Sequence, residues 1–264
     1  MIGVLPNQEI EKLIKIGAIS SDVPIESEQI QPASLDMRLG SKAFRIRASF
    51  LPGNREKVEE RLKSLQMHEI DLRGGAVLEK GCVYLVPLLE VLKLPTDIQA
   101  AANAKSSTGR LDLLTRTISD SGEEFDRISS GYSGKLYAEI CPRSFSVLVR
   151  TGMKLNQIRF RNKNTTLDDE SLKALHAKEK LVPGNAIIDD GLGFSVDLQP
   201  SHGNLVGYRA KPHTGIIDLD LIDHYNPTEF WDEIRTSCGE IILDPGAFYI
   251  LVSRESVHIP PGYA

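Results

Sequence analysis

The 264-residue sequence contains no run approaching the 18 or more apolar residues of a membrane span. Its opening, Met1-Ile-Gly-Val-Leu-Pro-Asn7, lacks the basic start and apolar stretch of a signal peptide. Cysteine is scarce: Cys82, Cys141 and Cys238 are odd in number and far apart. They argue against a disulfide framework and fit reduced core residues of a cytoplasmic protein. There is no basic excess. A formal charge of −5 argues against sequence-independent binding of DNA or RNA through a cationic face. Zinc signatures are missing too: the six histidines show no H-x-x-x-H or H-x-E pattern, and no Pro-Cys-x-x-Cys occurs. No metal ligands and no zinc are expected. What remains is a globular chain of one or two domains, 41% hydrophobic and long enough to bury a core.

Against those absences stands one dense stretch. Lys105-Ser-Ser-Thr-Gly-Arg110 puts two cations and several hydroxyls on a short segment, which suits a polyphosphate. Gly131-Tyr-Ser-Gly134 follows, and then a lone acid, Glu139, on an apolar strand. Burial raises the pKa of such an acid toward neutrality and fits it for proton transfer. The combination suggests a nucleotide enzyme working by general acid/base chemistry.

Along the chain, Asn7 can cap a short helix with Ile10, Leu13 and Ile14 on one face and Gly17 as its stop. Ser34–Gly40 and Ala43–Arg47 read as strands. Residues 54–68 are charged with a helical period, a solvated helix inserted between strands. From 76 to 160, short apolar runs punctuated by Gly and Pro read as an all-β domain. Residues 163–190 read as a connector in which Asp168–Lys180 forms a helix. Pro227–Ile234, with Trp231, reads as a further helix, and Gly134 and Gly152 as turn positions needing positive φ.

The chain then repeats itself. Gly75–Val86 aligns without gaps on Glu240–Leu251, with Leu78, Gly81, Tyr84, Glu90 and Pro95 falling on Leu243, Gly246, Tyr249, Glu255 and Pro260. Ser34-Leu-Asp36 matches Ser195-Val-Asp197, and Ile70-Asp-Leu72 matches Ile217-Asp-Leu219. The expected domains are 1–162, carrying the motifs, and 191–264, an incomplete second copy. Ala264 corresponds to Gln99, so the natural chain is expected to continue beyond it.

Gln31-Pro-Ala-Ser-Leu-Asp-Met-Arg-Leu-Gly40 resembles the opening motif of the dCTP deaminase family, a branch of the dUTPase-like fold. Lys105–Arg110 resembles that family's Arg-Ser-Ser-x-x-Arg loop, and Ile128–Gly134 its Ile-Asp-x-Gly-x-x-Gly turn. Gly134–Glu139 resembles the strand ending on its catalytic glutamate, and Gly152–Gln157 its closing element. The resemblance implies a mainly β fold, a distorted β-barrel of the β-clip type in tandem duplication with a few short helices. It also implies homo-oligomers whose active sites are shared between subunits. Two positions depart from the pattern: Lys105 replaces an arginine, keeping charge but losing the bidentate fork, and Ser129 replaces the turn aspartate, so it cannot act as a base.

The activity so implied is deamination of dCTP to dUTP and ammonia, with Mg²⁺ carried on the triphosphate. Glu139 is the expected general acid/base, and Arg110 orients it and the attacking water. Lys105, Ser106, Ser107, Thr108 and Gly109 form the phosphate loop, Ser129 meets the sugar, and Tyr137, Ala138 and Gln157 complete the substrate-binding set. Two alternatives stand beside it: an enzyme that also works as a dUTPase or does only that, and a non-catalytic nucleotide-binding, oligomer-building module.

Overall fold

The computed structural model describes residues 3–163, 166–199 and 203–263. Contacts divide the chain into two compact units: Met1–Asn164 with His213–Tyr225, and Thr165–Pro212 with Asn226–Ala264. The chain is mainly β. The first unit opens with α1 (Asn7–Lys15), β1 (Ile19–Ser20), β2 (Ile30–Gln31), β3 (Ser34–Arg38), β4 (Lys42–Ile46), α2 (Val58–Leu65) and β5 (Gln66–Asp71). It continues through β6 (Ala76–Leu78), β7 (Val83–Lys93), β8 (Gln99–Ala104), α3 (Ser106–Gly109), β9 (Leu113–Ser119), β10 (Arg127–Ile128), β11 (Ser133–Pro142), β12 (Val147–Val149) and β13 (Lys154–Arg161). Beyond it lie α4 (Asp169–Glu179), β14 (Leu205–Ala210), β15 (Ile217–Asp218), α5 (Pro227–Phe230), β16 (Trp231–Arg235) and β17 (Tyr249–Leu251). No helix among the described residues is long and apolar enough to cross a membrane.

Two sheets build the first unit, in the orders β5-β4-β7-β11-β9 and β10-β8-β13-β3-β2, with a small β15-β12-β6 sheet beside them. The mainly β architecture with a few short helices is the one the family resemblance implied, laid out here as several sheets. β11 is buried continuously from Leu136 to Pro142, because both of its faces are covered. One face carries Tyr137, whose neighbours Leu85 and Ile118 cluster with Val58 and Leu62 of α2. On the other, Asn156 of β13 donates to the Thr117 hydroxyl across 3.3 Å, joining the two sheets. The insertion at 54–68 is therefore docked: α2 exposes its charges but buries Val58 and Leu62 completely or nearly so. Burying two such side chains contributes about 1.5–3 kcal/mol each, which decides the matter over charge patterning. Residues 66–71 leave the helix and pair with β4.

Several local expectations shift. Pro6, not Asn7, sits at the N-cap of α1, though Gly17 stops the helix at φ +75°. Gly152 has the positive φ of its turn; Gly134 does not. It is glycine for space, since a Cβ there would lie 2.7 Å from the Tyr132 hydroxyl. α4 matches its caps: the Asp168 carboxylate accepts the Ser171 N–H at 2.8 Å and Lys180 closes the helix at φ +53°. α5 ends at Phe230, and Trp231 starts a strand. Of the cysteines, Cys141 is buried but Cys238 is exposed, so it is no core residue.

The second unit's sheet, β16-β14-β17, repeats part of the first. Arg45 opposes Tyr84 as Arg209 opposes Tyr249. The Tyr84 hydroxyl accepts the Glu79 N–H at 3.0 Å, and the Tyr249 hydroxyl accepts the Asp244 N–H at 2.8 Å. Gly81 and Gly246 turn at φ +77° and +79°. Two of the sequence matches do not survive. The Arg38 N–H meets the Glu90 carboxylate as the Ser195 N–H meets Glu255, both at 2.8 Å. Gly40 N–H bonds Pro87 O as Asp197 N–H bonds Val252 O. Ser195-Val-Asp197 thus stands where Arg38-Leu-Gly40 stands, four residues from its sequence match. Ile217-Asp-Leu219 is not a copy of Ile70-Asp-Leu72: Ile217 pairs in parallel with Val147 inside the first unit. Arg150 clasps that segment with bonds of 2.6 and 2.8 Å to the Asp218 carboxylate. Ala264, matched to Gln99, lies outside the described residues.

Candidate active site

β11 brings Glu139 directly opposite Arg116 of β9 and Leu85 of β7. Residues opposed across an antiparallel pair share a face, so all three point the same way. The Glu139 side chain is only 3% exposed, and its Oε1 accepts Arg116 Nε at 3.1 Å and Nη2 at 2.5 Å. Its Oε2 is buried without a hydrogen-bond partner. Arg116 is held in turn: Nη2 donates to Ser49 Oγ at 3.0 Å, and the guanidinium lies 3.7 Å from the Phe125 ring centroid. Glu139 is the one carboxylate of a buried apolar strand, as the sequence pattern implied, and it is paired with an arginine. Arg116 had a signal in the sequence, a cation amid the apolar and hydroxyl residues of Leu113–Ser119, but its pairing depends on register.

A second acid faces the pair. Asp126 adopts φ +62°, and its carboxylate accepts the Thr117 N–H at 2.7 Å. Burial pushes its pKa up; the Thr117 hydrogen bond and Arg116 pull it back, and the Glu139 charge pushes it further up. Tyr137 is buried against α2, with its hydroxyl 3.5 Å from Glu59 Oε1, and burial pushes its pKa up. Ala138 is wholly buried between Thr117 and Val86.

The phosphate-loop candidates lie on the other sheet. Lys105 precedes α3 and pairs through Nζ with the buried Asp36 carboxylate. Ser106, Ser107, Gly109 and Arg110 are exposed on the short α3 turn, whereas Thr108 is buried and donates to Leu155 O at 3.0 Å. Gln157 lies opposite both Asp36 and Asn103 and accepts the Ser34 hydroxyl at 3.1 Å. Ser129 is exposed just after β10. The structure gathers Lys105, Asp36, Gln157 and Ser34 in one group and Glu139, Arg116 and Asp126 in another. No hydrogen bond among the described residues joins Arg110 to Glu139. No cluster of three or more His, Cys, Asp or Glu side chains able to hold a metal occurs among the described residues.

Residues 1–164 match the family model for the 2′-deoxycytidine 5′-triphosphate deaminase N-terminal domain, and residues 168–264 match that for its C-terminal domain. A dUMP-forming dCTP deaminase of Nanoarchaeum equitans is 29% identical over 206 residues, 71% of this chain and 98% of the relative. A dCTP deaminase of Haemophilus influenzae is 32% identical over 143 residues, 51% of this chain and 70% of the relative. The crystal structure of 2′-deoxycytidine 5′-triphosphate deaminase from Agrobacterium tumefaciens superimposes with a TM-score of 0.93 at 48% identity, covering 98% of this chain and 78% of that one.

Proposed function

Since this chain belongs to the 2′-deoxycytidine 5′-triphosphate deaminase family, we propose that it converts dCTP and water to dUTP and ammonia without zinc. The observation that carries this reading is Glu139: a buried carboxylate with one oxygen engaged by Arg116 and the other unpartnered. A free oxygen in a water-poor site is what a proton carrier needs. In the proposed reaction a water O–H gives its proton to Glu139 as its oxygen bonds to cytosine C4. Glu139 delivers that proton to N3, then takes the proton of the new C4 hydroxyl and gives it to the exocyclic nitrogen; the C4–N bond breaks, ammonia leaves, and a C4 carbonyl beside a protonated N3 remains.

Lys105, Ser106 and Ser107 take the triphosphate in this reading, and Mg²⁺ enters as the substrate's own counter-ion. Thr108 and Gly109 keep the loop in shape. Ser129 bonds a sugar hydroxyl and Gln157 steadies the loop's floor, whereas Tyr137 and Ala138, paired on both sides within the sheet, hold the strand that carries Glu139 and are not free to offer backbone groups to the base. Arg110, exposed on this chain, is offered to the site of a neighbouring subunit in a homo-oligomer, where it stabilises the tetrahedral intermediate.

A second reading has the enzyme continue to dUMP and pyrophosphate, as the names of several relatives say of those proteins. The serine at position 129, which cannot serve as a base, counts against it. Chromatography of a dCTP and Mg²⁺ incubation separates the readings. The account expects dUTP with equimolar ammonia; dUMP with pyrophosphate would favour the second reading. Binding of dCTP without turnover would leave only a nucleotide-binding module.

A further inference from the structure

Arg116 has no role in the chemistry just described, yet its placement constrains that chemistry. An arginine fork facing a carboxylate commonly makes two parallel bonds, one to each oxygen. Here Nε and Nη2 converge on the single atom Oε1 of Glu139, and Oε2 is left buried and unpartnered. An orphaned buried acceptor is costly, so the arrangement persists only because other contacts fix the guanidinium. Two such contacts are visible. Ser49 Oγ, in the segment between β4 and α2, accepts from Nη2. The Phe125 ring covers the guanidinium face. Phe125 is itself anchored through the next residue: the Asp126 carbonyl accepts the Ala102 N–H at 2.8 Å, its N–H donates to Thr117 O at 2.8 Å, and its carboxylate accepts the Thr117 N–H.

We propose that Arg116 is a positioning residue that acts through Glu139: by occupying Oε1 alone it reserves Oε2 as the oxygen that carries the water protons, the first to N3 and the second to the leaving amine. Ser49 and Phe125 serve the same end by fixing the guanidinium. The inference rests on the deaminase reading above and adds to it which oxygen works and what selects it.

The test is steady-state ammonia release from dCTP by the full chain and its variants, normalised to folded protein by thermal melts. Arg116→Gln is expected to lower kcat by about 100-fold, the scale of a misplaced reacting group, with KM for dCTP moving far less. Arg116→Lys keeps the charge without the fork and recovers part of that loss. Ser49→Ala lowers kcat severalfold with an unchanged melting temperature. A structural role alone would instead lower the melting temperature and leave kcat per folded molecule intact. If Arg116→Gln does not fold, Arg116→Lys and Ser49→Ala decide, and full kcat in both overturns the proposal. Wild-type turnover that survives Glu139→Gln sinks the deaminase reading itself, and this inference with it. Turnover lost in Glu139→Gln but unaltered by every Arg116 and Ser49 variant sinks this inference alone.

Discussion

The two units use one local frame to different ends. Around Tyr84 and around Tyr249 the same parts recur: a glycine turn at positive φ, a backbone N–H given to the tyrosine hydroxyl, an opposed arginine, and a downstream glutamate that accepts a backbone N–H. In the first unit that frame extends into an eleven-residue β7, paired on one side by β4 and on the other by β11. In the second, β17 spans three residues and pairs only with β14 among the described residues. Glu139 and Arg116 lie on β11 and β9, the strands added beyond the shared frame. The comparison separates architecture, which both units keep, from the Glu139–Arg116 pair, which only the extended sheet carries.

The glutamates show the same divergence. Glu90 is fully buried and accepts from Arg38 Nε, Arg38 N–H and Gln29 Nε2. Glu255 is half-buried and keeps the backbone bond to Ser195 alone of these. Arg38→Met would strand the Glu90 charge and is expected to cost about 3–5 kcal/mol, measured by urea unfolding. Ser195→Ala, at the equivalent position, keeps the backbone bond to Glu255 and removes only a hydroxyl beside a half-buried carboxylate, so it should cost no more than about 1 kcal/mol. Equal costs would break the comparison. Tyr84→Phe deletes a buried hydrogen bond and should lower stability by about 1 kcal/mol. Tyr249→Phe acts at an exposed turn and should do less, and a larger loss there would reverse the ranking of the two frames.

A smaller effect concerns the segment that joins the first unit from later in the chain. The Arg150 guanidinium holds the Asp218 carboxyl down at about 2. A depressed folded pKa means the contact contributes above the unfolded value near 3.9 and is lost as pH falls through about 2. Titration of the Asp218 carboxyl carbon by NMR should give a midpoint near 2, and a midpoint near 4 would deny the clasp. Smallest of all is thiol reactivity. Cys238 is exposed with its pKa drawn down by the Thr236 hydroxyl, whereas burial pushes the Cys141 thiol up. Iodoacetamide should label Cys238 well before Cys141, as mass spectrometry would report.

Much of this was legible in the sequence, and the limits have physical causes. The N-cap of α4 is local, so Asp168 could be read from residue type, whereas a lysine at φ +53° gives no such signal at the other end. Glu139 was legible because an acid in an apolar strand is conspicuous. Arg116 was not tied to it, since 23 residues and the register of an antiparallel pair separate them. Docking of α2 was also hidden. Val58, Leu62 and Leu65 recur at helical spacing, but charges fill the remaining positions and masked the stripe. The Ser-x-Asp repeat misled because two matching residues do not fix a register, whereas a glutamate's bond to one backbone N–H does.

The most direct test of the account compares the two units by their glutamates. Ammonia release from dCTP should fall by roughly 10²–10⁴-fold in Glu139→Gln, the usual worth of a general acid/base. It should be unchanged in Glu255→Gln, with both variants folded. Loss in Glu255→Gln, or retention in Glu139→Gln, would contradict the claim that the chemistry belongs to the extended sheet of the first unit.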